Sequence, residues 1–231
     1  MSDTPEAQGF ASRPDNALDL QRLLQARHHD PFAVLGRHEQ DGQTLIRVLL
    51  PYTRELRLDH NDELFQRIGN SDIFEWRGNG EQLPTCYRLR RTDSDGQLHL
   101  LYDVYAFGPT LADYDLNLFS AGKHLHAYRM LGAHACNIDG IDGVRFATWA
   151  PNAERVSVIG NFNRWDGRCY PMRSRGSSGV WELFIPGLEM GELYKFEIRN
   201  RDTGRVVQKS DPYARQAELR PRTASVIFES H

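Results

Sequence analysis

The strongest constraint in this chain of 231 residues is an internal repeat. "VLGRH", ending at His38, corresponds to "MLGAH", ending at His134, and each is followed by a strand-like run from arginine to proline, at 47–51 and 145–151. Further on, "CYRLRRTDSDGQ" corresponds to "LYKFEIRNRDTGR", and "DVYA" corresponds to "DPYA". Landmarks that recur in the same order indicate two tandem copies of one unit, each of about 100 residues.

Each copy contains short runs rich in β-branched and aromatic residues, such as "VRFATWAP" and "VWELFIP", separated by Gly, Pro, Asn and Asp. These runs predict β-strands, and about 100 residues of them are typical of an immunoglobulin-like sandwich. Ahead of them, Leu20, Leu23 and Leu24 have helical spacing, with Asp15 or Asn16 as a possible N-cap. We therefore predict an all-β fold of two tandem immunoglobulin-like β-sandwich modules with one short N-terminal helix.

The repeat also predicts domain boundaries. We expect a disordered leader at 1–15, a first β-sandwich module at 16–112 and a second, of carbohydrate-binding type, at 113–231. The segment "DYDLNLFSAGKHLHAY", which begins at Asp113, contains apolar and aromatic residues rather than a Gly/Ser run. We therefore expect a connector that packs against the modules and not a flexible tether.

Composition limits the partners. A formal net charge of -3 with 40% hydrophobic residues gives no electrostatic reason to bind nucleic acid or an anionic membrane. The three cysteines lack CxxC spacing and the histidines lack HExxH, so we expect no disulfide framework, no metal site and no cofactor. The first residues lack an apolar signal region, and no run approaches the roughly 20 apolar residues that span a bilayer, so we expect a cytoplasmic location.

The two copies differ most at "GNFNRWDG", residues 160–167, where the first copy has "RLDHNDELFQ". An exposed Trp165 beside Asn161 and Asn163 suits a sugar, because the indole ring can cover an apolar C–H face while amides bind hydroxyls. Lys195, in "YKF", can add an ammonium group. The alternative is that Trp165 folds back over the end of the sandwich with its N–H bound to a carbonyl. The residues alone leave both interpretations open.

The other tryptophans have a simpler interpretation. Trp149 and Trp181 lie within strand-like runs, and Trp76 lies in "DIFEWRG". Large aromatic side chains in such runs are mostly buried. We predict core or half-buried positions for all three.

Four segments carry a resemblance to a known family: "HDPFAVLGRH", "LFSAGKHLHAYRMLGAH", "VRFATWAPNAERVSVIGNFNRWDGR" and "KSDPYARQAELRPRTASV". Together they resemble the N-terminal region of bacterial 1,4-α-glucan (glycogen) branching enzymes, over nearly the whole chain after the leader. The resemblance implies two β-sandwich modules, the second a glycogen- or starch-binding module. In these enzymes of glycogen biosynthesis, the modules precede a catalytic (β/α)8 barrel of the α-amylase superfamily.

The resemblance also implies site residues and partners. In similar modules the Trp of "FNxW" and the Lys of "YKF" contact α-glucan, and these correspond to Trp165 and Lys195. The chain departs from the family in having Asn161 where Asp is usual, and "GRVVQ" where glucan-binding relatives carry a second Trp. The implied partners are α-glucan, as glycogen or maltooligosaccharides, and the catalytic barrel of the parent enzyme.

The catalytic machinery of such an enzyme is not visible in this sequence. Retaining transfer needs two carboxylates about 5 Å apart, held on a barrel of roughly 250 residues with alternating strands and helices. We find no such alternation and predict no catalytic residue, so we expect a fragment that is inactive alone. It either binds glucan chains for the barrel or acts as a structural spacer without glucan affinity. In either case a surface that meets the barrel could cause self-association.

Overall fold

The computed structural model describes residues 14–228. The expected disordered leader therefore lies outside the described residues, except for its last two residues, which begin the helix α1, Pro14–Leu24. Leu20 and Leu23 are buried against the modules, whereas Leu24 is exposed. The helix thus presents one apolar stripe to the core, as its spacing predicts.

The first module is a two-layer antiparallel sandwich. Its strands are β1 Gly36–Gln40, β2 Gln43–Leu49, β3 Thr53–Leu58, β4 Gln66–Arg67, β5 Ile73–Gly78, β6 Arg88–Asp93 and β7 Leu98–Tyr102. One sheet has the order β1-β2-β5-β4 and the other β3-β6-β7. Alternate residues of the strands fill the space between the sheets, including Ile46, Leu56 and Trp76. This is the period of two that the sequence shows.

The second module repeats this architecture. Its strands are β8 Gly132–Ile138, β9 Ile141–Trp149, β10 Ala153–Gly160, β11 Arg173–Ser174, β12 Val180–Pro186, β13 Leu193–Asn200, β14 Val206–Lys209, β15 Gln216–Ala217 and β16 Ser225–Val226. One sheet has the order β11-β12-β9-β8; in the other, β13 pairs with β10 on one edge and with β14 and β16 on the other. Phe146, Trp181 and Phe196 lie in the core between them. The predicted all-β fold of two sandwiches is confirmed.

Equivalent residues of the two copies make equivalent contacts. Nε2 of His38 lies 3.0 Å from the carbonyl oxygen of Leu35, and Nε2 of His134 lies 2.9 Å from that of Leu131. A carbonyl only accepts, so Nε2 carries the proton in both rings. The histidine of each "LGxH" landmark therefore hydrogen-bonds back to its own segment and fixes the start of the first strand of the module.

The last landmark is a buried tyrosine–aspartate pair. The hydroxyl of Tyr87 donates to Oδ2 of Asp103, and the hydroxyl of Tyr194 donates to Oδ2 of Asp211 at 2.5 Å. Burial raises the pKa of Asp103 to about 6, although the hydrogen bonds from Tyr87 and from a backbone N–H lower it. Burial likewise raises the pKa of Asp211. The aspartates of "DVYA" and "DPYA" therefore hold the equivalent strand of each module through a hydrogen bond from its tyrosine.

The connector packs as predicted. It contains α2, Asp113–Ser120, and α3, Ala127–Met130, which cover the outer face of the β8–β9–β12 sheet. Leu116 and Met130 of these helices contact Ala147 and Val180 of the sheet. Around Ala147 and Val180, strands β9 and β12 are therefore buried on both faces, by the core on one side and by the connector on the other.

The two modules share one apolar cluster. Leu49 and Ile73 of the first module belong to the same cluster of buried side chains as Phe146 of the second. Tyr105, at the end of the first module, lies beside Tyr170, which follows β10. The modules thus meet along the segment that follows β10, which also carries the sequence motif with Trp165.

Candidate functional site

The loop after β10 has an unusual backbone. A 3₁₀ turn, Asn161–Asn163, is followed by Arg164 and Trp165 with φ of +58° and +59°. Left-handed backbone is uncommon for residues other than glycine and persists only where surrounding contacts hold it. The N–H of Trp165 donates to the carbonyl of Gly160 at 2.9 Å. The tryptophan is therefore fixed close to the strand end.

Asn163 holds this loop from inside. Its side chain is only 6% exposed; Oδ1 accepts from the N–H of Gly160 at 2.9 Å, and Nδ2 donates to the carbonyl of Val158 at 2.9 Å. These bonds satisfy backbone groups that the strand end leaves unpaired. Our expectation that Asn163 contacts carbohydrate is therefore corrected: the residue shapes the loop that carries Trp165.

Asn161 and Trp165 form a pair at the surface. The indole Nε1–H donates to Oδ1 of Asn161 at 3.0 Å, so a side-chain amide oxygen and not a backbone carbonyl satisfies it. Trp165 is half-buried and Asn161 is exposed. The bond uses Oδ1 of Asn161, and its Nδ2 has no hydrogen-bond partner among residues 14–228.

Lys195 lies on the neighbouring strand. In the β10–β13 pair, Lys195 is opposite Ile159 and Tyr194 is opposite Gly160. The half-exposed Lys195 donates from Nζ to Oγ1 of Thr223 at 2.8 Å, which uses one of its three N–H donors. The structure therefore brings Trp165, Asn161 and Lys195 to one end of this sheet.

The equivalent basic residue of the first module has a different partner. Arg88, which corresponds to Lys195 in the repeat, forms an ion pair of 2.8 Å with Asp59. The first module has no tryptophan at the matching strand end. The arrangement around Trp165 is a property of the second module.

A buried ion pair supports the loop from below. Arg155 donates from Nη1 to the carbonyl of Gly167 at 2.7 Å and from Nη2 to Oε1 of Glu197 at 2.6 Å. A Cβ at position 167 would overlap the Glu197 carboxylate, so a larger residue there would displace the Arg155–Glu197 ion pair. Sequence reasoning missed Arg155 and Glu197, because charged residues in outward-facing strand positions are usually solvated.

The first module holds the loop from the side. The hydroxyl of Tyr52 donates to Oδ2 of Asp166 at 2.9 Å, and Arg168 bridges Asp166, at 2.7 Å, to Asp72, at 3.2 Å. Burial raises the pKa of Asp166, but the hydrogen bonds from Arg168 and Tyr52 outweigh it and the net shift is downward. Nothing in the sequence pattern indicated these contacts.

Of the three remaining tryptophans, two are buried and one is exposed. Trp76 and Trp181 are 4% and 3% exposed, which confirms their predicted burial. Trp149 is 55% exposed, so the prediction for it was wrong. Trp149 is the last residue of β9 on the face that the connector covers, and its ring meets that of Phe119 in an edge geometry with 6.2 Å between the ring centroids.

The described part of the chain offers no other obvious chemistry. Residues 14–228 contain no cluster of three or more His, Cys, Asp or Glu side chains that could hold a metal ion. Within the same range, no helix has the length and apolar character needed to cross a membrane.

The comparisons with known proteins define the class of each module. Residues 130–214 match carbohydrate-binding module 48, the isoamylase N-terminal domain, and this range contains Trp165, Asn161 and Lys195. Residues 16–105 match the N-terminal domain of the alpha-1,4-glucan branching enzyme GlgB. The second module is therefore a carbohydrate-binding module, and the first is the domain that precedes it in branching enzymes.

Individual relatives agree. The chain is 58% identical over 209 residues to the 1,4-alpha-glucan branching enzyme GlgB of Methylococcus capsulatus, and 54% identical over 219 residues to that of Cellvibrio japonicus. Each match covers 90% of this chain but 28% and 30% of the relative. The chain belongs to the branching-enzyme family, to whose N-terminal region its two modules correspond.

A solved structure gives a weaker likeness. Type I pullulanase from Bacillus subtilis str. 168 aligns over 82% of this chain and 25% of its own, with 20% identity and a TM-score of 0.36.

Proposed function

We propose that the second module binds α-glucan chains at the surface formed by Trp165, Asn161 and Lys195. One observation carries the proposal: a half-buried tryptophan, whose N–H is satisfied by Asn161, lies at the end of the β10–β13 pair that also carries Lys195. The match to a carbohydrate-binding module over these residues supports it.

The chemistry of the site fits a glucose ring. The apolar C–H face of the sugar covers the indole, while Nδ2 of Asn161 and the remaining N–H donors of Lys195 bind hydroxyl groups. Because the backbone around Trp165 is fixed before the sugar arrives, little ordering entropy is lost on binding. A single aromatic platform gives modest affinity per site.

Within a branching enzyme, this site keeps glycogen or maltooligosaccharide chains close to the α-amylase-type barrel. The two modules perform no bond cleavage in this proposal. They raise the local concentration of acceptor and donor chains in the cytoplasm.

Affinity electrophoresis through gels containing glycogen tests the proposal. The parent chain is retarded, and Trp165→Ala loses about 1 to 3 kcal/mol of binding free energy, by analogy with base stacking on aromatic side chains. Trp149→Ala is the matched control, because Trp149 is an exposed tryptophan of the same module. A parent chain that migrates as in a glycogen-free gel would overturn the proposal.

A second function is favoured by Trp149 itself. Its exposed ring, set against Phe119 at the rim of the connector, is an apolar contact surface, and the relatives are more than three times as long as this chain. In that interpretation the modules are structural spacers that dock on the rest of the enzyme. The same gels discriminate, because a pure spacer shows no retardation in any variant.

A further inference from the structure

The tip of the Trp165 loop is bound by the first module. Arg164 and Asp166, the two residues that flank Trp165, both contact Tyr52, which lies in the turn between β2 and β3. The Tyr52 hydroxyl donates to Oδ2 of Asp166 at 2.9 Å, and the Arg164 guanidinium lies 4.8 Å from the centre of the tyrosine ring. Tyr52 thus touches the chain on both sides of the tryptophan.

Ion pairs extend this contact. Arg164 lies 3.4 Å from Asp95, and Arg168 lies 3.2 Å from Asp72, both aspartates belonging to the first module. The Arg168 guanidinium is also 5.9 Å from the Tyr52 ring centre. The two cations lie within the range at which an aromatic ring attracts positive charge.

Tyr52 is itself held in place. Its carbonyl oxygen accepts from the N–H of Ser94 at 3.0 Å and from Nη2 of Arg91 at 3.2 Å. These bonds fix the turn to the β6–β7 hairpin. Because Tyr52 is fixed within the first module, its contacts with Arg164 and Asp166 set where the loop of the second module lies.

The need for this contact follows from the backbone. The second module holds the loop at Asn163 and Gly167, but Arg164 and Trp165, between them, have left-handed backbone. Such residues relax to other conformations unless surrounding contacts hold them. Arg164 contacts Tyr52 and Asp95 of the first module, and Asp166 accepts from Tyr52 as well as from Arg168 of its own loop.

We propose that Tyr52 is a positioning residue for the glucan site: the first module fixes the orientation of Trp165, so the site is complete only when both modules are present. The inference rests on the proposed function of Trp165. It assigns the first module a role in ligand binding, although it gives that module no contact with the glucan.

The test uses the complete two-module chain and its variants Tyr52→Ala and Tyr52→Phe. Tyr114→Ala is the matched control, because Tyr114 is 71% exposed and lies in the connector. Glycogen affinity of Tyr52→Ala falls roughly tenfold, the size expected from losing a hydrogen bond and a cation–π contact. Tyr52→Phe keeps the ring and loses the hydroxyl, so its affinity lies between those of the parent and Tyr52→Ala.

A second readout separates positioning from general destabilisation. In chains labelled with 5-fluorotryptophan, the Trp165 resonance is assigned by its loss in Trp165→Phe. Without glucan, Tyr52→Ala shifts or broadens this resonance and leaves those of the buried Trp76 and Trp181 unchanged. Shifts in the buried residues as well would indicate a structural defect and overturn the inference.

The outcomes distinguish the two proposals. If the parent binds glycogen and Tyr52→Ala binds equally well, the inference fails and the proposed function stands. If the parent does not bind, the proposed function fails and the assigned role in ligand binding fails with it. An unchanged Trp165 resonance in Tyr52→Ala also overturns the inference, whatever the affinity.

Discussion

The hydroxyl of Tyr52 and the carboxylate of Asp166 are 2.9 Å apart, although 114 residues separate them in the chain. The bond joins a turn of the first sandwich to the loop that carries the candidate sugar platform of the second. The interface between the modules is therefore part of the candidate site and not only a packing surface.

Removal of the Asp166 charge should weaken this interface. Asp166 accepts from Arg168 and Tyr52, and its pKa is lowered, so it stabilises the fold above its unfolded pKa and the contribution disappears as pH falls. Asp166→Asn therefore lowers the melting temperature at pH 7, and the difference from the parent shrinks towards pH 3. Asp202→Asn, at an exposed aspartate in the turn after β13, is the control in thermal denaturation. A difference that stays constant with pH would contradict the account.

The opposite pH dependence is expected at Asp103. Its pKa is raised to about 6, so the folded state holds the proton more tightly than the unfolded state, and stability falls as pH rises from 4 towards 7. Asp103→Asn does not titrate. Relative to this variant, the parent loses about 2 kcal/mol of unfolding free energy over that range. Urea denaturation at both pH values measures it, and a constant difference would show that Asp103 is not protonated more easily in the fold.

The "LG" of the first landmark predicts a specific cost of substitution. Gly36 has φ of +87°, and a Cβ there would overlap the carbonyl of Tyr105. Gly42 has φ of +77° with no atom within 4 Å of that position. Gly42→Ala therefore costs about 1 to 2 kcal/mol for left-handed backbone alone, and Gly36→Ala costs clearly more. Chemical denaturation compares the two, and equal losses would refute the close approach of Tyr105.

The connector depends on a buried carboxylate. Glu182 accepts from Oγ1 of Thr110 at 2.7 Å, from the N–H of Leu111 at 2.9 Å and from Nη1 of Arg175 at 2.5 Å. Glu182→Gln removes the buried carboxylate that pairs with Arg175, leaves that guanidinium only the exposed Asp113, and destabilises the fold by about 3 kcal/mol.

The control for this change is Glu154→Gln. Glu154 is only partly buried and pairs with Arg27 and Arg199. Its loss costs about 1 kcal/mol or less, as for other solvent-accessible ion pairs. A loss at Glu182 as small as that at Glu154 would mean that the connector is anchored by its apolar contacts alone.

Some parts of the structure could be predicted from the sequence because they depend on local pattern. The paired contacts of His38 and His134, and the burial of Trp76 and Trp181, follow from the repeat and from strand alternation. Trp149 shows the limit. Its place in a strand-like run predicted a core or half-buried position, but the connector leaves this end of β9 exposed.

The candidate site shows the same limit. Trp165, Asn161 and Lys195 could be nominated from residue type and from comparison of the two copies. The role of Asn163 could not, because an asparagine that pairs with backbone looks the same in sequence as one that faces solvent. Tyr52 gave no signal, because its contact with Asp166 depends on how the modules dock and not on the pattern of either module.

The central claim, that Trp165 is the sugar platform, is tested most directly by fluorine NMR of the 5-fluorotryptophan-labelled chain during titration with maltoheptaose. The account predicts a saturable shift of the Trp165 resonance, while the resonance of the exposed Trp149 stays in place. Maltoheptaose that shifts Trp149 and leaves Trp165 unchanged, or that shifts neither, would contradict it.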